Sequence, residues 1–136
     1  MDNPNVWSDL LGLTVELNPD QIRFSQKSVS DVDEIVNSMR TNGWKGDPID
    51  VVRMPDGKLT TIDNTRLLAA SRTKTKVLAV IRDANAPLPQ EYISRFTTKK
   101  GVPATWGDAI DLRIGKQGAT FRSLYKEGSP FTGSEK

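Results

Sequence analysis

The sequence predicts an α+β domain, a small mixed sheet with packed helices, and three observations carry that prediction. Short runs such as LTVEL (13–17) and QIRFSQ (21–26) alternate apolar and polar residues with the period of a half-buried strand. Val32, Ile35, Val36 and Met39 recur at i, i+3, i+4, i+7, the stripe of a helix that turns one face to a core. Pro55-Asp56-Gly57 then joins two strand-like runs as a hairpin turn.

Taken in order, residues 1–12 place Trp7, Leu10 and Leu11 at short helical spacing, and strands follow near 13–17 and 22–24. Ser28 or Ser30 offers an N-cap for a helix over 31–41, with Asp31 and Asp33 favouring its positive end. Asn42-Gly43 ends that helix, since glycine adopts positive φ without strain. The hairpin takes 49–53 and 58–62 as strands. A second helix covers 65–72, for which Asp63, Asn64 and Thr65 are candidate caps. KVLAVI is almost wholly apolar, so the strand at 77–81 is interior. Beyond the loop DANAPLP come a weak helix at 90–96 and an amphipathic one at 106–114, with Trp106, Ile110 and Ile114 on one face. The last twenty residues read as largely irregular.

A chain of 136 residues is one domain's worth. Its division is a core over 1–89, with a short N-terminal lead, and a basic extension over 90–136 packed on the same domain. Residues 1–90 carry 11 basic and 12 acidic side chains, whereas 91–136 carry 8 and 5. The basic portion suits an acidic backbone such as nucleic acid, and equally a solvated surface. Cysteine is absent, which excludes disulfides and thiol chemistry. Histidine is absent too, which excludes histidine-based triads and most zinc sites. No apolar run approaches a membrane span, and no signal-peptide pattern opens the chain, so export would need another carrier.

The most informative stretch is TIDNTRLLAA (61–70), where a strand delivers the chain to a helix start. Free amides at such a start bind anions, and Arg66 in the first turn offers a fork for phosphate oxygens. Asp63 repels phosphate; its uses are as a base, as a ligand for Mg²⁺ bridging to phosphate, or as the group that orients Arg66. The plainer alternative is that Asp63 or Asn64 caps the helix and Arg66 pairs with an acid.

The span 22–82 resembles the fold shared by the ParB N-terminal domain and sulfiredoxin. The likeness lies in the order of IRFSQ, a helix ending at Asn42-Gly43, PIDVV, PDGKLTTI, DNTRLLAA and VLAVI. Asn64 stands where sulfiredoxin-like proteins carry a catalytic cysteine and nucleotide-hydrolysing relatives a glutamate, so neither reductase chemistry nor nucleotide turnover is expected. The resemblance implies a phosphate-binding role for Arg66. The short basic tail, KKGVPATWGDAIDLRIGKQ, is similar to the ParB-like toxin domains at the C-termini of bacterial contact-dependent and Rhs-type effectors. Those domains are nucleases paired with an immunity protein.

The expectation is therefore a nuclease toxin domain that cleaves phosphodiester bonds in DNA or RNA. It would be secreted or delivered within a larger effector, act in the target-cell cytoplasm, and be held by a cognate immunity protein. The alternatives are a nucleotide- or DNA-binding ParB-like module without cleavage, and an adaptor whose seam is only a capped helix. The candidate catalytic residues are Asp63, Arg66 and Asn64, with Asp63 the candidate ligand for Mg²⁺, the one cofactor admitted. The candidate substrate-binding residues are Thr65, Ser25, Gln26, Trp44, Lys45, Lys99, Lys100, Arg113 and Lys116, with Arg95 and Arg122 on the same basic surface. Tyr125 and Lys126 are further acid–base candidates in a chain without histidine.

Overall fold

The computed structural model describes residues 14–135. The helical turns expected around Trp7, Leu10 and Leu11 lie outside the described residues. Five strands form the main sheet: β1 (Thr14–Leu17), β2 (Ile22–Arg23), β4 (Ile49–Arg53), β5 (Leu59–Thr61) and β6 (Val77–Asp83). Their order is β1-β6-β4-β5-β2. The β4–β5 hairpin and the β1–β6 pair are antiparallel, while β4–β6 and β2–β5 are parallel, so the sheet is mixed. A smaller parallel pair joins β3 (Ser28–Ser30) to β7 (Gly133–Glu135).

The helices are α1 (Asp33–Asn42), α2 (Asn64–Thr73), α3 (Gln90–Phe96), α4 (Trp106–Lys116) and α5 (Ala119–Leu124). Both faces of the sheet are covered. Ile49 and Val51 of β4 join Val36, Met39, Leu67 and Val77 in one core, beneath α1 and α2. Val52, Met54 and Ile62 turn the other way, to Phe96, Trp106, Ala109, Ile110 and Ile114 of α3 and α4. Strand alternation is the cause, because successive side chains leave a strand on opposite faces. The C-terminal portion thereby forms half of the packed interior.

The strands expected at 13–17, 49–53, 58–62 and 77–81 and the helices at 31–41 and 65–72 are present, with ends shifted by a residue or two. Two expectations are corrected. Ser28 and Ser30 do not cap α1; they lie in β3, in register with Gly133 and Glu135, and Val32 stands at the N-cap with no side-chain hydrogen bond. Asp31, at φ 57°, makes the break between strand and helix. The tail is also more regular than expected, since it contains α5 and β7. The glycine stop is as read: Gly43 sits at φ 73° and its N–H bonds to the Met39 carbonyl.

Candidate functional site

The seam between β5 and α2 is held together by its own side chains. Asp63 is the N-cap of α2: its Oδ1 accepts the Arg66 backbone N–H at 3.2 Å, and its Oδ2 accepts Arg66 Nε at 2.8 Å. Arg66 Nη1 donates to the Asp47 carbonyl at 2.7 Å, and the guanidinium lies 5.1 Å from the centre of the Trp44 ring. The carboxylate thus occupies the place at the helix start that an incoming phosphate would take. The pair also straps the 43–48 loop onto α2. Thr65 is half-buried, Lys45 is exposed, and Trp44 is half-buried with its indole N–H enclosed and unpartnered among the described residues.

Asn64 and Ser25 face inward and do not meet solvent, at 2% and 0% exposed. Asn64 Oδ1 accepts the Ser25 backbone N–H at 2.7 Å, Asn64 Nδ2 donates to Ser25 Oγ at 3.0 Å, and Ser25 Oγ donates to the Thr61 carbonyl at 2.7 Å. Asn64, expected as catalytic, and Ser25, expected as a substrate contact, are thus both placed in the interior. The two residues form a buried clasp between the segment after β2 and the start of α2, in which each of their side-chain polar atoms is hydrogen-bonded.

A different set of residues gathers around open space. The ends of α3 and α4 and the segment between β2 and β3 enclose a cleft of about 200 Å³. Gln26 lines one wall, Arg95 to Thr98 another, and Arg113, Lys116 and Gln117 the third. Phe96 is the anchor, buried in the second core, with the Arg113 guanidinium 4.6 Å and the Arg95 guanidinium 5.2 Å from its ring centre. Gln117 bridges two walls: its Oε1 accepts the Lys27 N–H at 3.2 Å, and its Nε2 donates to the Arg113 carbonyl at 3.2 Å.

The charges in this cleft are unbalanced. Ion pairs among the described residues join Arg23 to Asp56, Arg66 to Asp63 and Arg82 to Asp50. None of them involves Arg95, Arg113 or Lys116, and no described carboxylate lines the cleft. Desolvation by burial pushes the Arg113 pKa down, the neighbouring Arg95 charge pushes it the same way, and the Asp63 charge opposes both. An arginine held half-buried beside a second one costs stability unless an anion offsets it. Guanidinium, ammonium and amide donors around one small space suit a phosphate or another oxyanion.

Of the sequence candidates, Gln26, Arg113 and Lys116 come together in this cleft, with Arg95. Lys99 and Lys100 lie apart: Lys99 is exposed, and Lys100 Nζ donates to the Gly115 carbonyl at 3.3 Å beside clefts that it shares with Arg122 and Asp111. Sequence reasoning missed Phe96, Thr97, Thr98 and Gln117. The adjacent Thr-Thr pair at the end of a short helix was the available signal. Among the described residues no group of three or more Asp or Glu converges as a metal cage, and both oxygens of Asp63, the candidate Mg²⁺ ligand, accept from Arg66.

No family model matches the chain, and no curated protein matches it. Among solved structures it is similar to sulfiredoxin from Arabidopsis thaliana, at 24% identity over 52% of this chain and 85% of that one, with TM-score 0.40. It is similar to the C-terminally truncated chromosome-partitioning protein ParB from Caulobacter crescentus complexed with CTP-γ-S, at 22% identity over 59% and 47%, with TM-score 0.45. A third likeness is to protein Atu1540 from Agrobacterium tumefaciens, at 18% identity over 71% and 60%, with TM-score 0.41. These are likenesses of fold, to ParB-like and sulfiredoxin-like structures. Among the described residues no helix is long and apolar enough to cross a membrane.

Proposed function

We propose that this domain binds the phosphodiester backbone of nucleic acid in the cleft and cleaves it. One observation carries the reading: three cations, Arg95, Arg113 and Lys116, line a small cleft that no described carboxylate lines, with Asp63 acting on Arg113 from outside it. Such a set acts where charge develops on phosphorus, because fixed donors stabilise the extra negative charge of the transition state. RNA is the better-suited substrate. Its own 2′-hydroxyl serves as the nucleophile, so charge stabilisation and a proton acceptor suffice without a resident metal. Asp63 is the carboxylate whose charge reaches Arg113, and Arg66 holds it in place.

In biological terms the proposal remains a nuclease toxin domain, delivered within a larger effector to the target-cell cytoplasm and restrained by an immunity protein. The test is incubation of the purified domain with total RNA, tRNA and plasmid DNA, with Mg²⁺ or with chelator, beside R113M. RNA should be degraded in both conditions by the wild type and spared by R113M. The lack of a carboxylate among the described residues lining the cleft favours a second reading, a nucleic-acid-binding module without cleavage. That reading predicts binding lost in R113M and no cleavage of any substrate.

A further inference from the structure

We propose that Phe131 is a stacking platform for an unpaired base, so that the ligand of the cleft is a single strand rather than a duplex; this rests on the nucleic-acid reading above. Phe131 is 62% exposed and, with Val102 and Leu124, is among the large apolar side chains that face solvent; of these it alone carries an aromatic face. It is nonetheless fixed. Before it, buried Ser129 exchanges both backbone hydrogen bonds with Phe24, at 2.7 and 2.8 Å. The Ser129 hydroxyl donates to the Phe131 carbonyl at 2.6 Å and accepts the Phe131 N–H at 3.2 Å. After it, the Thr132 hydroxyl donates to the Gln26 carbonyl at 2.7 Å, and the Gly133 N–H donates to the Lys27 carbonyl at 3.0 Å.

The ring is supported by an aromatic row. Tyr125 meets it edge-on with centroids 5.8 Å apart, and Tyr125 in turn packs on Phe121 at 5.2 Å. Phe121 rests on the second core. This row stiffens the ring while leaving much of its surface to solvent.

Position supplies the occupant. Thr132, the residue after Phe131, is bonded to the Gln26 carbonyl, and Gln26 is a wall of the cationic cleft. A polyanion whose phosphate lies between Arg113 and Gln26 would present its neighbouring base beside that segment. An aromatic face accepts any unpaired base, whereas a duplex hides its base faces in the stack. An apolar protein partner would use the exposed ring equally well but would have no need of the cationic cleft that shares Gln26 with this segment.

The experiment measures anisotropy of a fluorescein-labelled 2′-O-methyl oligonucleotide of twelve bases, which resists cleavage, as a single strand and as a duplex. Wild type, F131A, F131W and R113M are compared, with thermal melts as a check on folding. F131A should bind the single strand about ten-fold more weakly, with duplex binding unchanged, and F131W should restore it. Because the ring is exposed, F131A should melt with the wild type. F131A binding the single strand as tightly as wild type, with R113M impaired, overturns the platform and leaves the cleft standing. R113M binding as well as wild type overturns the cleft reading and the platform with it.

Discussion

Asn64 and Ser25, 39 positions apart in the chain, hold each other through two buried hydrogen bonds, Oδ1 to the Ser25 N–H at 2.7 Å and Nδ2 to the Ser25 hydroxyl at 3.0 Å. Removing the amide strands the Ser25 N–H in the interior, while the Ser25 hydroxyl keeps its bond to the Thr61 carbonyl. N64A should therefore destabilise the fold by about 1–3 kcal/mol, the cost of one buried donor left unpaired. Urea denaturation checks this. A stable N64A that had lost only nucleic-acid cleavage would instead make Asn64 a site residue.

Arg113 is the converse case, a residue that weakens the free protein. Its guanidinium is half-buried against Phe96 and repelled by Arg95, with its pKa pushed down. R113M keeps an apolar chain on the Phe96 ring and removes the charge. The variant should melt about 3 °C higher than wild type while losing its grip on nucleic acid. Loss of stability in R113M, measured by calorimetry, would show that the cation is already offset within the protein.

An anion that settles in the cleft should stabilise the fold by linkage. Inorganic phosphate or pyrophosphate should raise the melting temperature of wild type in proportion to the logarithm of its concentration, and should not do so for R113M. Binding of an oligonucleotide should weaken with salt, with a logarithmic slope of roughly −2 for the two or three cations engaged. A melting temperature indifferent to phosphate, with a salt slope near zero, would count against a cationic phosphate site.

Asp56 links the β4–β5 turn to β2 through a two-pronged contact with Arg23, at 2.6 and 2.9 Å. The Arg23 hydrogen bond holds its carboxyl down, from an ordinary 3.8 to about 2. Because the folded pKa lies below the unfolded one, the stabilisation is present above the usual carboxylate range and is lost as pH falls toward 2. D56N should melt below wild type at neutral pH, and the gap should close as the pH is lowered through that window. A gap that persists at the acid end would mean that the contribution is not the ionised carboxylate.

Much of the fold was legible because local chemistry and tertiary packing agree. The stripe from Val32 to Met39, the Gly43 stop and the Pro55-Asp56-Gly57 turn each specify their element without help from distant residues. β7 was not legible, because Gly133-Ser134-Glu135 has no strand period and is held by backbone pairing to β3, a hundred positions earlier in the chain. The cap role of Asp63 could be read directly, whereas the burial of Asn64 could not, since it depends on Ser25 arriving from β2. In the cleft, Arg113, Lys116 and Gln26 were singled out as cations or amides. Phe96, Thr97, Thr98 and Gln117 acquire their meaning only where the ends of α3 and α4 converge.

The proposed function puts phosphate in the cleft at Arg113 and not at the helix start beside Arg66. One titration separates the two: labelled single-stranded 2′-O-methyl RNA added to wild type, R66A and R113M, each shown to be folded by circular dichroism. Arg66 already spends its contacts on Asp63, the Asp47 carbonyl and Trp44, so R66A should bind within a few-fold of wild type. R113M should bind at least about ten-fold more weakly, as expected when a charge-assisted phosphate contact is lost. Binding retained in R113M and lost in R66A would contradict the account and return the phosphate to the seam.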